Sequence, residues 1–262
     1  MRFSFGRNWL NYSRSLDADR FARATASVSG LLGPFPLRGR SFVDVGCGSG
    51  LFALAATRLG AARVVALDRD VDCLRATAAN AERLLSSAER SRLDVRAADI
   101  LDPASLPHEQ FDIVYAWGSL HHTGAMWQAV ETTATLCAEA GILVLALYNR
   151  TPFTPLWHAV KRAYNLAPAP LQVVMVGGLV LPRAAGRLLR GRAPLEVERG
   201  MDVWHDAVDW LGGLPYEAAR PEDVHRRLER LGFRPVREEL TRRHGCNQFV
   251  YAGNGVARHP PA

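Results

Sequence analysis

Between residues 41 and 148 short runs of β-branched and aliphatic residues recur at regular intervals, and longer stretches of helical composition separate them. Residues 41–45, 63–67, 94–97, 111–116 and 142–147 read as strands, and residues 51–59, 70–86 and 126–139 as helices between them. Strand alternating with helix builds a parallel sheet covered on both faces. The end of the chain follows another pattern. Residues 221–231 read as a helix opened by Pro221, and Gly232-Phe233 leads into two strand-like runs, 235–240 and 248–251, joined by a short turn containing Gly245. A parallel crossover needs about a dozen residues or more, so these two strands must pair antiparallel. The pattern predicts an α/β fold: a doubly wound sheet, mostly parallel, with an antiparallel last strand.

Two segments lie outside this plan. Residues 1–40 precede the first strand and carry an aromatic cluster, Phe3, Phe5, Trp9 and Tyr12, which reads as a helical lid. Residues 150–216, rich in Trp, Leu and Arg, interrupt the core after the fifth strand. Ligands of open α/β sheets bind at the carboxyl ends of the strands, so an insertion there is expected to form a helical cap over the site. The core is then 41–149 with 217–253, and residues 254–262 read as a disordered tail.

Composition narrows the classes. The longest uncharged apolar run, 171–181, is about half of what a spanning helix needs, and no membrane span is expected. The first residues hold one early base and no apolar core followed by a cleavage site, which argues for a cytoplasmic protein. Cys47, Cys73, Cys137 and Cys246 form no CxxC pair, so reduced thiols and no metal are expected. The net charge of +6 comes almost wholly from arginine, Lys161 being the only lysine. With abundant Ala and Leu this looks like GC-rich codon usage, and no nucleic-acid partner is expected. The densest basic stretch, 183–192, reads as a solvated helix face, with contact to an anionic substrate or a membrane surface as the alternative.

The chemistry begins where the first strand runs into Asp44-Val45-Gly46-Cys47-Gly48-Ser49-Gly50. Glycines let backbone turn sharply and approach a ligand closely. From Gly48 the stretch also matches GxGxxA, a weak dinucleotide signature. Asp44 argues against that reading, because its carboxylate would repel a pyrophosphate and attract a cationic amino group.

Here the chain resembles the class I S-adenosylmethionine-dependent methyltransferases, whose first motif, acid-x-Gly-x-Gly-x-Gly, is matched by Asp44, Gly46, Gly48 and Gly50. The resemblance spans roughly residues 40–148 and 217–252 and implies a Rossmann-like fold with S-adenosylmethionine as cofactor. It places Asp44 near the cofactor's amino group, Cys47 in the turn, Asp68 with its neighbour Arg69 at the ribose hydroxyls, and Asp99 with Ile100 at the adenine. The loop beginning at Trp117 then borders the transferring methyl. The segment Phe5-Gly6-Arg7-Asn8-Trp9 resembles an element of bacterial members that folds over the cofactor, which would put Arg7 at the cofactor carboxylate and Trp9 beside it.

Methyl transfer is an in-line displacement from an excellent leaving group. The protein must align the acceptor and, for a hydroxyl, remove a proton. The loop 117–124 supplies His121 and His122, and the cap supplies His205, as candidate bases. The final strand runs antiparallel, so its beginning, with His244 and Asn247, must share a sheet edge with Tyr148 and Asn149. These residues, with Trp204, Asp206 and Trp210 of the cap, are expected to wall the acceptor pocket. No Asn/Asp-Pro-Pro-Tyr/Phe signature follows the fourth strand, which lowers the N-methylation reading. The preferred reading is O-methylation of a small, fairly apolar acceptor of polyketide-like or quinone-like character. C- or N-methylation, a nicotinamide-dependent oxidoreductase and an inactive cofactor-binding partner are the alternatives.

Overall fold

The computed structural model describes residues 3–189, 191, 203–242 and 244–256. Seven strands form one sheet: β1 (Ser41–Val45), β2 (Arg63–Asp68), β3 (Leu93–Ala97), β4 (Phe111–Trp117), β5 (Cys137–Tyr148), β6 (Phe233–Glu239) and β7 (Cys246–Gly253). Their spatial order is β3-β2-β1-β4-β5-β7-β6. The first five are parallel, and β7 runs antiparallel to both β5 and β6. The order reverses between β1 and β4, and the crevice at that point, outside the carboxyl ends of the strands, is where such sheets receive ligands.

Strands buried on both faces read as continuous apolar runs. Val64, Val65 and Ala66 of β2 and Ile142 to Ala146 of β5 are fully buried, and successive side chains alternate between the two faces, Phe42 and Val64 to one core and Val43 and Val65 to the other. Helices α1 (Phe5–Ser15), α2 (Ala18–Leu32), α3 (Leu51–Arg58), α4 (Val71–Leu84), the short α5 (Ser87–Arg90), α6 (Met126–Thr135) and α10 (Pro221–Arg230) surround the sheet. α10 carries Pro221 in its first turn with Glu222 and Asp223, and Arg227 and Arg230 in its last, the polarity that favours a helix dipole. The insertion folds as α7 (Thr154–Leu166), α8 (Ala169–Leu188) and α9 (Val203–Gly212) around a separate cluster of Tyr148, Tyr164, Val176 and Trp210.

Three expectations change. α6 stops at Thr135 rather than at 139, and β5 starts at Cys137 rather than 142. Glu139 and Ala140 are exposed at that end of the strand, so they lack the apolar signature by which a strand is read. The apolar run 171–181 lies within a helix of 20 residues that continues through Pro182, and by length and composition this helix is apolar enough to cross a membrane. Of the tail expected over 254–262, residues 257–262 lie outside the described residues, as do Arg190 and Arg192 of the basic stretch. Asn254 to Val256 form a turn, and Val256 packs on the core.

Candidate active site

The turn after β1 is shaped by close approaches. Gly46, Gly48 and Gly50 all have positive φ, at 76°, 57° and 74°. A Cβ on Gly46 would collide with Ser119, and one on Gly50 would stand 2.5 Å from the Thr77 methyl, so neither position has room for a side chain in a conformation that L residues already avoid. Neighbours hold the turn in place: Asn80 Nδ2 donates to the Ser49 carbonyl at 2.9 Å, Thr77 Oγ1 to that of Gly48 at 3.2 Å, and Ser119 Oγ to that of Val45 at 2.7 Å. Asp68, at the end of β2, accepts from Gly48 N–H at 2.9 Å and from Asp70 N–H at 2.9 Å. The Cys73 thiol bonds to the same carboxylate, and three donors leave a lone pair for a further one.

Asp44 lies beneath this turn. It is 2% exposed, accepts a hydrogen bond from Ala53 N–H at the start of α3, and leaves Oδ2 without a partner. Burial, followed by the charge of Asp68, pushes its pKa up to about 8. A carboxyl in this state is relieved by a cation nearby.

Above the turn a cavity of about 380 Å³ runs along the sheet edge. One end is lined by Asp68, Arg69, Asp99 and Ile100. Arg69 pairs with Asp99 at 3.0 Å, and Asp99 Oδ1 accepts from Leu101 N–H, which fixes the carboxylate. Trp117 borders the middle, its indole N–H donating to Gln248 Oε1 at 3.1 Å. The roof is Phe3, Phe5 and Trp9, the last lying against Gly48. α1 is tied down at both sides, because Gly6 N–H donates to Asp70 and Asn8 Nδ2 to Asp209 at 2.6 Å and to the His205 carbonyl at 3.1 Å.

The other end is aromatic. His121 is fully buried, stacks on Tyr148 with ring centroids 3.8 Å apart, and faces the Ala146 backbone. Burial, His122 and Lys161 together hold its pKa well below the usual imidazole value. His122 Nδ1 lies 2.7 Å from the Pro215 carbonyl. A carbonyl can only accept, so Nδ1 carries the hydrogen and Nε2 keeps its lone pair. Burial and Lys161 push the pKa of His122 down to about 3, which leaves the ring neutral at physiological pH. Asp206, Asp209, Trp210, His244 and Cys246 complete the wall.

Several proposed site residues stand elsewhere. Arg7 is exposed: the helical period turns Phe5, Asn8, Trp9 and Tyr12 inward and Arg7 outward. His205 packs on Tyr12 and Trp204 is 40% exposed, so neither lines the cavity, because α9 presents Asp206, Asp209 and Trp210 to it instead. Asn149 and Asn247 bond to each other at 3.2 Å and to the backbone of Thr241, fastening β5 to the turn before β7. Asp44 is below the turn and not in the cavity wall. Among the described residues, no cluster of His, Cys, Asp and Glu is arranged to hold a metal.

Sequence reasoning passed over Asp209, Asn8 and Lys161. Burial pushes the Asp209 pKa up to about 8. Lys161 is fully buried among the rings of Tyr148, Trp210 and Tyr216, donates to the Trp210 carbonyl, and has its pKa pushed down to about 7 by burial. Its one available signal was being the lone lysine in an arginine-rich chain.

These residues fit the cofactor that the resemblance implies. A cradle that a Cβ would fill, an orphaned buried carboxylate oxygen beneath it and an acid at the end of β2 suit a ligand carrying a cation and a diol.

Comparison with known proteins agrees. Residues 43–145 match the family model described as a methyltransferase domain. The chain is 38% identical over 110 residues to a ribosomal protein L11 methyltransferase of Alteromonas mediterranea, covering 42% of this chain and 34% of that protein. It is 29% identical over 180 residues to a ubiquinone biosynthesis O-methyltransferase of Rhodopseudomonas palustris, covering 69% of this chain and 63% of the relative. The chain thus spans less than two thirds of either protein. In fold it is similar to magnesium protoporphyrin IX methyltransferase of Synechocystis PCC 6803 with bound SAH, at a TM-score of 0.57 and 16% identity, over 89% of this chain and 83% of that one.

Proposed function

We propose, from the methyltransferase-domain match over residues 43–145 and the fold, that the chain is a class I, S-adenosylmethionine-dependent methyltransferase that methylates an oxygen of a small, largely apolar acceptor. The observation that carries this reading is His122, with Nδ1 hydrogen-bonded to a carbonyl and Nε2 carrying a lone pair, in the aromatic end of the same cavity that holds Asp68 and Asp99. The bound cofactor supplies a methyl group on a sulfonium. Asp68 would hold its ribose hydroxyls, and Asp99 with Ile100 would hold its adenine.

Tyr148, Trp210 and the roof from α1 give an acceptor apolar surface and exclude water. His121, stacked on Tyr148, backs the aromatic wall against which an acceptor ring would lie. A neutral hydroxyl that gains a methyl becomes an oxonium, which even a weak base deprotonates. His122, neutral throughout the physiological range, takes that proton on Nε2 as the new bond forms. Alignment with the ubiquinone O-methyltransferase over 69% of the chain, against 42% for the ribosomal protein enzyme, favours a small acceptor over a protein.

Transfer of labelled methyl from S-adenosylmethionine to a panel of quinols, catechols and amines, and to a cell extract, tests the reading. His122→Ala should lower turnover by about 10² to 10⁴ with cofactor affinity nearly unchanged, while His205→Ala should leave turnover near wild type. Label appearing only on nitrogen or carbon would overturn the oxygen acceptor.

A further inference from the structure

A second pocket, of about 430 Å³, borders the acceptor end and carries charge of one sign. Arg150 and Arg242 line it together with Asn149, Thr151, Phe153 and His244, and none of the described residues around it is Asp or Glu. His244 belongs to both cavities. It packs on Trp157 and Trp210 with ring centroids 4.8 and 5.2 Å away, so the pocket lies against the aromatic wall of the acceptor end.

The fold brings the two arginines to one place. Asn149 N–H donates to the Gly245 carbonyl at 2.8 Å and Asn149 Nδ2 to that of Thr241 at 2.9 Å, while Asn247, 1% exposed, bonds to both Asn149 and Thr241 N–H. Arg150 follows Asn149 and Arg242 follows Thr241, so this network fixes two cations beside one pocket. Like charges held close repel, and an acid nearby offsets that. Arg58, Arg63 and Arg69 each find a carboxylate. Among the described residues Arg150 and Arg242 pair with none. A cleft lined by one sign of charge concentrates the opposite ion, and guanidinium forks match the oxygens of a carboxylate or a phosphate.

We propose that this pocket holds an anionic group, a carboxylate or a phosphate, carried by the acceptor. The apolar body of the acceptor lies against Tyr148 and Trp210, and its anionic end passes His244 to reach Arg150 and Arg242. The link to the acceptor rests on the reading that a small molecule is methylated, whereas the anion site itself rests only on the two arginines and their pocket.

The test follows the side-chain Nε–H signals of Arg150 and Arg242 by NMR in the full chain, assigned with R150Q and R242Q, during titration with inorganic phosphate and separately with acetate. Both signals should move together with one dissociation constant, and about 0.5 M salt should weaken the binding. The anion that binds more tightly tells a phosphate from a carboxylate as the group recognised. In R150Q the response of Arg242 should weaken about tenfold or more, with an unchanged circular dichroism spectrum. No response to either anion, or an Arg242 response that R150Q leaves unchanged, would overturn the proposal, because two solvated arginines act independently. In the methyl-transfer assay R150Q/R242Q should raise KM about tenfold or more for acceptors that carry a carboxylate or phosphate, with kcat unchanged, and leave KM for neutral acceptors near wild type. An equal rise for both kinds would overturn the link to the acceptor. If both signals respond together and no oxygen is methylated, the oxygen-acceptor reading fails and the anion site stands.

Discussion

Asp44 keeps a carboxyl buried with one oxygen unpartnered, and a group in that state makes the protein sensitive to pH. Its pKa is raised from 3.8 to about 8, so it binds its proton more tightly in the native than in the unfolded chain. The stability it contributes is fully present below 3.8 and is lost as pH rises through about 8. Asp44→Asn should therefore have the higher melting temperature of the two ligand-free proteins at pH 8, with the gap closing toward pH 4, and thermal melts across that range check it. Gly50→Ala places a Cβ against Thr77 at a φ of 74°, and should cost about 1–3 kcal/mol in denaturant unfolding. Acids at strand ends were readable from the sequence because a strand that stops at an acid after an apolar run fixes where that acid lies, as for Asp68. Arg7 and His205 were not, because proximity in sequence to Trp9 or Asp206 says nothing about which side of a helix a residue takes.

At the scale of elements, α1 bridges the two halves of the site. Gly6 is tied to Asp70 beside the glycine turn, and Asn8 is tied to Asp209 on α9. Asn8→Ala removes the second tie and leaves Asp209 without its donor, so it should loosen the roof. Cofactor affinity should fall by about 1–3 kcal/mol, with the change mostly in a faster off-rate measured by stopped flow. The strands and the antiparallel hairpin were legible from alternation and turn length. The junction of α6 and β5 was not, because Glu139 and Ala140 are exposed and give no apolar pattern. Nor was the length of α8, since the apolar run 171–181 marks only part of a helix that extends from 169 to 188.

For the whole molecule, the sheet order sets the function. The reversal between β1 and β4 opens the crevice, the glycine turn floors it, and the antiparallel β7 brings His244 and Cys246 to the same edge as Tyr148. That arrangement followed from the order of motifs along the chain. The buried Lys161 and Asp209 depend on how the insertion folds back, which no local pattern encodes. The measurement that bears most directly on the central claim is calorimetry of the full chain with S-adenosylhomocysteine and with NADH. S-adenosylhomocysteine should bind in the low micromolar range, about −8 kcal/mol, Asp68→Ala should weaken it by about 1–3 kcal/mol, and NADH should not bind. Binding of NADH in place of S-adenosylhomocysteine, or an unchanged affinity in Asp68→Ala, would contradict the assignment of this cavity to S-adenosylmethionine.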